Sequence, residues 1–114
     1  MKYMADGDFE VVDSINENGI SEVVISGNLT LDNADSLHSH FTNNCIKPDV
    51  LVLTIEKVES IDISTIQLIT ALLSNRKLNK KKTETRLNLD STTNDLLLNT
   101  GVIYLIESIT KSKT

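Results

Sequence analysis

The stretch VESIDISTIQLI, Val58–Ile69, joins two strongly apolar segments of the chain. It follows DVLVLTI, Asp49–Ile55, a continuous apolar run that predicts a central strand covered on both faces. It leads into STIQLITALLSNRKL, Ser64–Leu78, where apolar residues recur at helical spacing. Asp62 and Ser64 therefore lie where a strand gives way to a helix.

Two interpretations of these polar residues are open. The first is structural, because Ser64 at the N-cap and Gln67 three residues later match a capping box, which stabilises a helix by about 1 kcal/mol. Asp62, just upstream, suits the positive end of the helix dipole. The second is functional: an exposed serine at a helix N-terminus accepts a phosphate that the free backbone N–H groups help to hold.

Two strands joined by a hairpin are predicted near the start of the chain. FEVVDSI, Phe9–Ile15, and ISEVVIS, Ile20–Ser26, are rich in β-branched residues. Asn18-Gly19 between them supplies the positive φ angles of a tight turn, so the strands are expected to pair antiparallel. Gly27 is expected to end the second strand.

Helices and further strands follow in alternation. LDNADSLHSHFTNNC predicts a helix with Asp32 or Asn33 as its N-cap. ETRLNLD, Glu84–Asp90, alternates apolar and polar residues and is predicted as a strand. STTNDLLLNTG is predicted as a short helix ending at Gly101, and VIYLI, Val102–Ile106, as a last strand. The apolar faces of the first two helices are predicted at Ala34, Leu37, Phe41 and Cys45, and at Ile66, Leu68, Ile69, Leu72 and Leu73.

The resulting order is β-β-α-β-α-β-α-β. It predicts an α/β fold with a mixed, mostly parallel sheet after an N-terminal hairpin, packed by helices on one side or both. The length of 114 residues fits one domain, residues 1–114, with an ordered core of about residues 9–106.

Composition narrows the function classes. Aromatic residues make up 4% of the chain and Trp is absent, which argues against surfaces that stack nucleic-acid bases. The formal net charge is -5, with 12 acidic and 3 basic residues in positions 1–62, and 4 acidic and 8 basic residues after them. Five of those bases lie in RKLNKKK, Arg76–Lys82, which is either a solvated helix end or a patch that binds a partner. An acidic protein with one short basic run is not expected to bind nucleic acid.

No residue pattern predicts an enzyme, a metal site or a cofactor. His38 and His40 lie two positions apart on a predicted helix, so one is expected in solvent and the other partly packed. Cys45 is the one cysteine, which excludes an internal disulfide, and it is expected to fill space at a helix end. No phosphate-binding glycine motif is present. No apolar run is long enough for membrane insertion, so a cytoplasmic location is expected.

The order and spacing of these segments resemble the STAS domain, the family of the bacterial anti-sigma factor antagonists. VVISGNLTL, Val23–Leu31, looks like the family's second strand with its Gly-x-Leu ending, and NADSLHSHF looks like its first helix. VLVLTIEKVESIDIST looks like its third strand and signature loop. LLLNTGVIYLI, Leu96–Ile106, looks like its penultimate helix and last strand.

The signature loop of this family typically reads Asp-Ser-Ser/Thr-Gly, and here it reads Asp62-Ile63-Ser64-Thr65. By this match Ser64 is the phosphorylated residue, with Thr65 as second choice, and Asp62 shapes the loop. Thr65 replaces the family's glycine, and Thr30 stands where an aspartate is favoured. The implied partner surface comprises Asn28, Thr30, Asp62, Ile63, Ser64, Thr65 and Gln67.

The resemblance implies a non-enzymatic switch that acts through protein contacts. The unphosphorylated domain would bind an ATP-binding serine kinase that is also an anti-sigma factor, phosphorylation of Ser64 would break the complex, and a PP2C-type phosphatase would restore it. Two alternatives use the same fold. One is an accessory subunit on the ATPase of an ABC transporter without a phosphate cycle, and the other is a stressosome-type scaffold subunit.

Overall fold

The computed structural model describes residues 2–6 and 8–89. The predicted short helix after Asp90 and the predicted strand Val102–Ile106 lie outside the described residues. The described elements are strands β1 (Lys2–Asp6), β2 (Phe9–Ile15) and β3 (Ser21–Leu29), helix α1 (Ala34–His40), strand β4 (Val50–Ile61), helix α2 (Ile63–Leu78) and strand β5 (Lys82–Asn88). A 3₁₀ turn, Leu31–Asn33, precedes α1, and a π-helical turn, Phe41–Cys45, extends it.

The five described strands form one mixed sheet in the order β1-β2-β3-β4-β5. The pairs β1–β2 and β2–β3 are antiparallel, whereas β3–β4 and β4–β5 are parallel. The parallel pairs require crossovers, which α1 and α2 supply. The predicted α/β class with an N-terminal hairpin is confirmed. The two described pairs that follow the hairpin are parallel, as predicted, and β1 is an additional strand that pairs antiparallel with β2.

One face of the sheet carries the core. The register places Val11, Ile25, Ile55 and Leu87 side by side across β2 to β5. The first three are buried, Leu87 packs against them, and the buried side chains of both described helices join the same cluster. Val52 and its neighbours on the other face stay partly exposed. The apolar run of β4 therefore alternates in burial, which corrects the prediction that both faces are covered.

The hairpin between β2 and β3 is confirmed, with a modified turn. The side-chain oxygen of Asn16 accepts the backbone N–H groups of Asn18 and Ile20 at 2.9 and 3.1 Å. Gly19 has a φ of 79°, and Asn18 is not among the residues with positive φ. The turn therefore needs a left-handed backbone at one residue and not at two.

Gly27 does not end β3, contrary to the prediction, because the strand continues to Leu29. Gly27 has a φ of 99° and lies where the register of β3 on β4 shifts. A Cβ at this position would lie 2.8 Å from the Cα of Phe9 and closer still to the carbonyl oxygen of Asp8. The glycine permits this close approach of two backbones, and β3 then runs on beside the end of β4.

β4 is also longer than predicted. It passes Ile55 and ends at Ile61, with Lys57 at a φ of 50° where the pairing with β3 is irregular. Asp62 is then the one residue between the strand and α2. The predicted loop between strand and helix is therefore absent, and the start of α2 is held close to the edge of the sheet.

The helices bury most of the positions that the periodicity predicts. His38 is exposed and His40 is buried, as expected from their spacing. Asn33 is the N-cap of α1, although its side chain makes no capping hydrogen bond. Ile66 and Leu68 are only half-buried, although Leu68 packs against the core, and the polar residues Thr65 and Arg76 are buried in α2 instead. The confirmed apolar positions are Leu37, Phe41, Cys45, Ile69, Leu72 and Leu73.

Arg76 is the exception to the interpretation of RKLNKKK as a solvated helix end, because Lys77, Lys80 and Lys82 are exposed and Arg76 is not. Its side chain is fully buried. The guanidinium donates to the carbonyl oxygens of Cys45 at 2.8 Å, Ile46 at 3.3 Å and Lys82 at 2.8 Å, and to the hydroxyl of Thr83 at 2.6 Å. Burial lowers the pKa of Arg76. The residue therefore joins α2 to the end of the first helix and to the start of β5.

Candidate functional site

Asp62 is the N-cap of α2, at the carboxyl end of β4. One of its carboxylate oxygens accepts the N–H of Thr65 at 3.3 Å, and the other accepts the N–H of Leu31 at 2.9 Å. The backbone N–H of Asp62 donates in turn to the carbonyl of Leu29 at 3.2 Å. The predicted capping box is therefore wrong: Ser64 is the second helical residue, and Asp62 performs the capping.

The two hydroxyl residues after Asp62 have different environments. Ser64 is partly exposed, in the first turn of a 16-residue helix whose leading N–H groups point outward. Thr65 is 0% exposed, and its hydroxyl has no hydrogen-bond partner among the residues that the structure describes. A kinase could reach the Thr65 hydroxyl only if the helix moved. The burial of Thr65 therefore argues against its prediction as a second phosphorylation site and as a surface contact.

A polar network fixes the neighbouring end of β3. The side-chain N–H group of Asn28 donates to one carboxylate oxygen of Asp8 at 2.8 Å, and that of Asn33 donates to the other at 2.9 Å. Asn33 also donates to the carbonyl of Asn28 at 2.7 Å, and the hydroxyl of Ser60 donates to the side-chain oxygen of Asn28. The bonds from Asn33 and then Asn28 lower the pKa of Asp8. Asn28 is therefore a partly exposed member of a fixed cluster.

Asp8, Asn33 and Ser60 also belong to this site, although none of them was predicted there from the sequence. The hairpin register could have indicated Asp8, because the pairing of Phe9 with Gly27 places Asp8 beside Asn28. Asn33 and Ser60 reach the same point only because the chain after β3 turns back over the sheet edge. That turn depends on tertiary packing and has no local signature.

Two apolar side chains project from this end of the sheet. Leu31 is 68% exposed and Ile63 is 63% exposed. The bond from the Leu31 N–H to Asp62 holds the two chain segments together, so that Leu31 lies close to Ile63. Thr30 is partly exposed and Gln67 is exposed, so both remain accessible as predicted contacts. Single exposed apolar residues are common, but two that are adjacent and rigidly held are suited to protein contact.

The buried titratable groups elsewhere do not offer a nucleophile. His40 meets Asp13 at 2.9 Å, and Cys45 is fully buried close to them. Burial, with a further contribution from the Asp13 carboxylate, raises the pKa of Cys45 to about 12. A thiol with that pKa is almost entirely protonated near neutral pH and is a poor nucleophile. Over residues 2–6 and 8–89, no helix has the length and apolarity to span a membrane.

Comparison with known proteins supports the fold. No family model matches the chain, and none of the curated proteins matches it. Among solved structures, it is similar to the crystal structure of an anti-sigma factor antagonist, a STAS domain from Rhodobacter sphaeroides. The TM-score is 0.52, the identity is 15%, and the match covers 74% of this chain and 89% of that chain. The chain therefore has a STAS-like fold, and its function is argued from the site.

Proposed function

We propose that this chain is a regulatory module that binds a protein partner at the carboxyl ends of β3 and β4, and that phosphorylation of Ser64 ends the binding. The partner is an ATP-binding serine kinase that also acts as an anti-sigma factor, and a PP2C-type phosphatase removes the phosphate. The chain is a ligand and a substrate in this cycle and not an enzyme. It works in the cytoplasm of a bacterial cell.

The observation that carries the proposal is the placement of Ser64. Its hydroxyl belongs to the first turn of α2, next to the exposed Ile63, and the turn is held to the end of β3 by the two hydrogen bonds of Asp62. A kinase can reach a partly exposed serine there without unfolding the helix. The neighbouring apolar residues Leu31 and Ile63 give a partner something to bury.

A phosphate on Ser64 would change this surface more than it changes the fold. It adds about 1.5 to 2 negative charges, which the free N–H groups of the first turn partly compensate. A partner that buries Ile63 would then have to bury the phosphate too, and the desolvation of that charge opposes binding. The replacement of the family's glycine by Thr65 does not obstruct the partner, because Thr65 points into the core.

A pull-down from lysate of the native organism tests the proposal. Wild type, Ser64→Asp and the matched control Ser64→Ala serve as baits, and captured proteins are identified by mass spectrometry. The expected result is that wild type and Ser64→Ala retain a serine kinase that binds ATP, whereas Ser64→Asp loses it. Incubation of the captured kinase with ATP should then add one phosphate to wild type and none to Ser64→Ala.

Two other outcomes would contradict parts of this proposal. Capture of a transporter ATPase by all three baits would support the accessory-subunit alternative. Phosphate transfer to a residue other than Ser64 would overturn the role of Ser64 while leaving the docking surface in place.

A further inference from the structure

A short segment, residues 30–32, connects β3 to α1 and is anchored at both ends. On one side, Leu29 is buried and pairs with Ile61 of β4. On the other side, the side chain of Asn33 is buried and donates to the carboxylate of Asp8 at 2.9 Å. Both ends of the segment therefore have attachments of their own outside α2.

The middle of the segment is attached to the start of α2 by one hydrogen bond. Among the residues that the structure describes, the N–H of Leu31 makes this bond, with the carboxylate of Asp62 as acceptor at 2.9 Å. Leu31 is exposed and Asp62 is partly exposed, so water can replace either partner when the bond breaks. The segment can therefore be released from α2 at this bond without disturbing the core.

The same carboxylate lies close to any charge that is added at Ser64. Asp62 is the N-cap and Ser64 is the second residue of α2, so the two residues are about 3 Å apart along the helix axis. Charged groups in one helical turn lie within the Debye length, about 8 Å at physiological salt, so a phosphate on Ser64 would repel the Asp62 carboxylate with little screening. The phosphate would also compete for the N–H of Thr65, whose bond to Asp62 is the longer of the two, at 3.3 Å. Both effects move the carboxylate away from the position that holds Leu31.

On the basis of the role proposed for Ser64, we infer that its phosphorylation breaks the bond between Asp62 and Leu31 and releases the segment 30–32. Leu31 then moves away from Ile63, and the apolar surface that a partner buries is divided. The movement is confined to the segment, because both of its ends keep their own attachments. The phosphate therefore ends binding in two ways: it adds charge beside Ile63, and it displaces an apolar side chain on another segment of the chain.

Amide hydrogen exchange at Leu31 tests the release directly. The full chain is produced with phosphoserine at position 64 by site-specific incorporation, so that no kinase or partner is needed, and exchange with water is followed by NMR. The Leu31 N–H should exchange at least about tenfold faster in the phosphorylated chain than in the unphosphorylated chain, because its acceptor is lost. The N–H of Asp62, which donates to the Leu29 carbonyl at 3.2 Å, should keep its exchange rate, because β3 and β4 stay paired.

Asp62→Ala tests whether the carboxylate is the link. Without phosphate, this variant should already show the fast exchange at Leu31, because the acceptor is gone. Phosphoserine at position 64 in Asp62→Ala should then give no further increase, so the two changes are not additive. A matched control carries phosphoserine at position 39 instead, since Ser39 is an exposed residue of α1 outside the candidate site. Its Leu31 exchange should equal that of the unphosphorylated chain.

Equal exchange at Leu31 in the chains with and without phosphate on Ser64 would overturn the inference, and the switch would then act through surface charge alone. So would equally fast exchange in the chain with phosphate on Ser39, or a further increase in Asp62→Ala. These outcomes are separate from the capture of a kinase, because they are measured on the isolated chain. Fast exchange at Leu31 together with a pull-down that captures no kinase would overturn the proposed partner and support the link between Ser64 and Leu31.

Discussion

The carboxylate of Asp62 accepts the backbone N–H of Leu31 at 2.9 Å, although the two residues lie 31 positions apart in the chain. The same carboxylate caps α2 through the N–H of Thr65. One side chain therefore links the end of β3 to the start of the helix that carries Ser64. This link is the reason that the candidate site is a fixed surface and not a flexible loop.

Asp62→Ala should lower the free energy of unfolding by about 1–2 kcal/mol, because it removes a helix cap and the acceptor for Leu31. Asp62→Asn is the matched control. The N–H groups of Leu31 and Thr65 bond to different carboxylate oxygens, and the asparagine amide replaces one of these oxygens with an NH2 donor. The stability of Asp62→Asn should therefore fall between that of wild type and that of alanine. Urea unfolding monitored by circular dichroism measures the free energy of unfolding of wild type, Asp62→Ala and Asp62→Asn. Equal stability of wild type and Asp62→Asn would show that the second hydrogen bond contributes nothing.

Gly27→Ala should destabilise the domain by about 2–4 kcal/mol. A Cβ at this position would lie 2.8 Å from the Cα of Phe9, and the φ of 99° disfavours any side chain. Gly19→Ala provides the comparison, because its φ is 79° and nothing lies within 4 Å of the added Cβ. It should cost only about 1–2 kcal/mol, and an equal loss in the two variants would contradict the close approach of β2 and β3.

Arg76→Lys should destabilise the domain by about 2–3 kcal/mol, although it keeps the charge. The guanidinium spans three carbonyl oxygens and the Thr83 hydroxyl, and an ammonium group cannot reach all of them. Arg86→Lys is the control, since Arg86 is exposed and pairs only with Glu84 among the bonds described. Its effect should stay within about 0.5 kcal/mol in the same urea titration.

The order of the elements from β2 to β5 was predictable because each has its own pattern in the sequence, whereas β1 was not predicted. β-branched residues mark β2 and β3, alternation marks β5, helical spacing marks α1 and α2, and Asn18-Gly19 marks the hairpin. The outer ends of β3 and β4 were not predictable, because Gly27 and Lys57 continue the strands through a bulge that only the partner strand makes favourable.

Asp62 and Ser64 lie where the sequence predicted, at the point where a strand gives way to a helix, but the capping role predicted for Ser64 was wrong. Ser64 was interpreted as a cap because the capping-box pattern considers only neighbours in the chain, whereas Asp62 also binds Leu31 from another segment. Arg76 was placed in solvent because periodicity counts apolar residues only. Its burial depends on carbonyl groups that two other segments bring together.

Thr65→Val should leave the domain as stable as wild type or raise its stability by about 1 kcal/mol. The Thr65 hydroxyl is buried without a partner, so valine removes a desolvated polar group at nearly constant volume. Thr70→Val, which removes a hydroxyl that donates to the Gln67 carbonyl on the helix surface, is the control and should have little effect. A loss above about 1 kcal/mol in Thr65→Val would mean that the hydroxyl has a partner, such as a buried water.

The buried thiol of Cys45 should make the free energy of unfolding depend on pH in the alkaline range. Burial raises the pKa of its thiol to about 12 in the folded protein, whereas a thiol in an unfolded chain titrates near about 8.5. Between these values the folded state binds more protons than the unfolded state, so the free energy of unfolding falls as pH rises, and below about 8.5 this contribution is fully present. Urea titrations of wild type and Cys45→Ala from pH 8 to pH 11 should show that the free energy of unfolding declines more steeply in wild type.

Reactivity of the thiol gives a second check on its burial. The native thiol of Cys45 should resist a disulfide reagent until the protein unfolds, and rapid labelling of native protein at pH 8 would contradict the burial of Cys45.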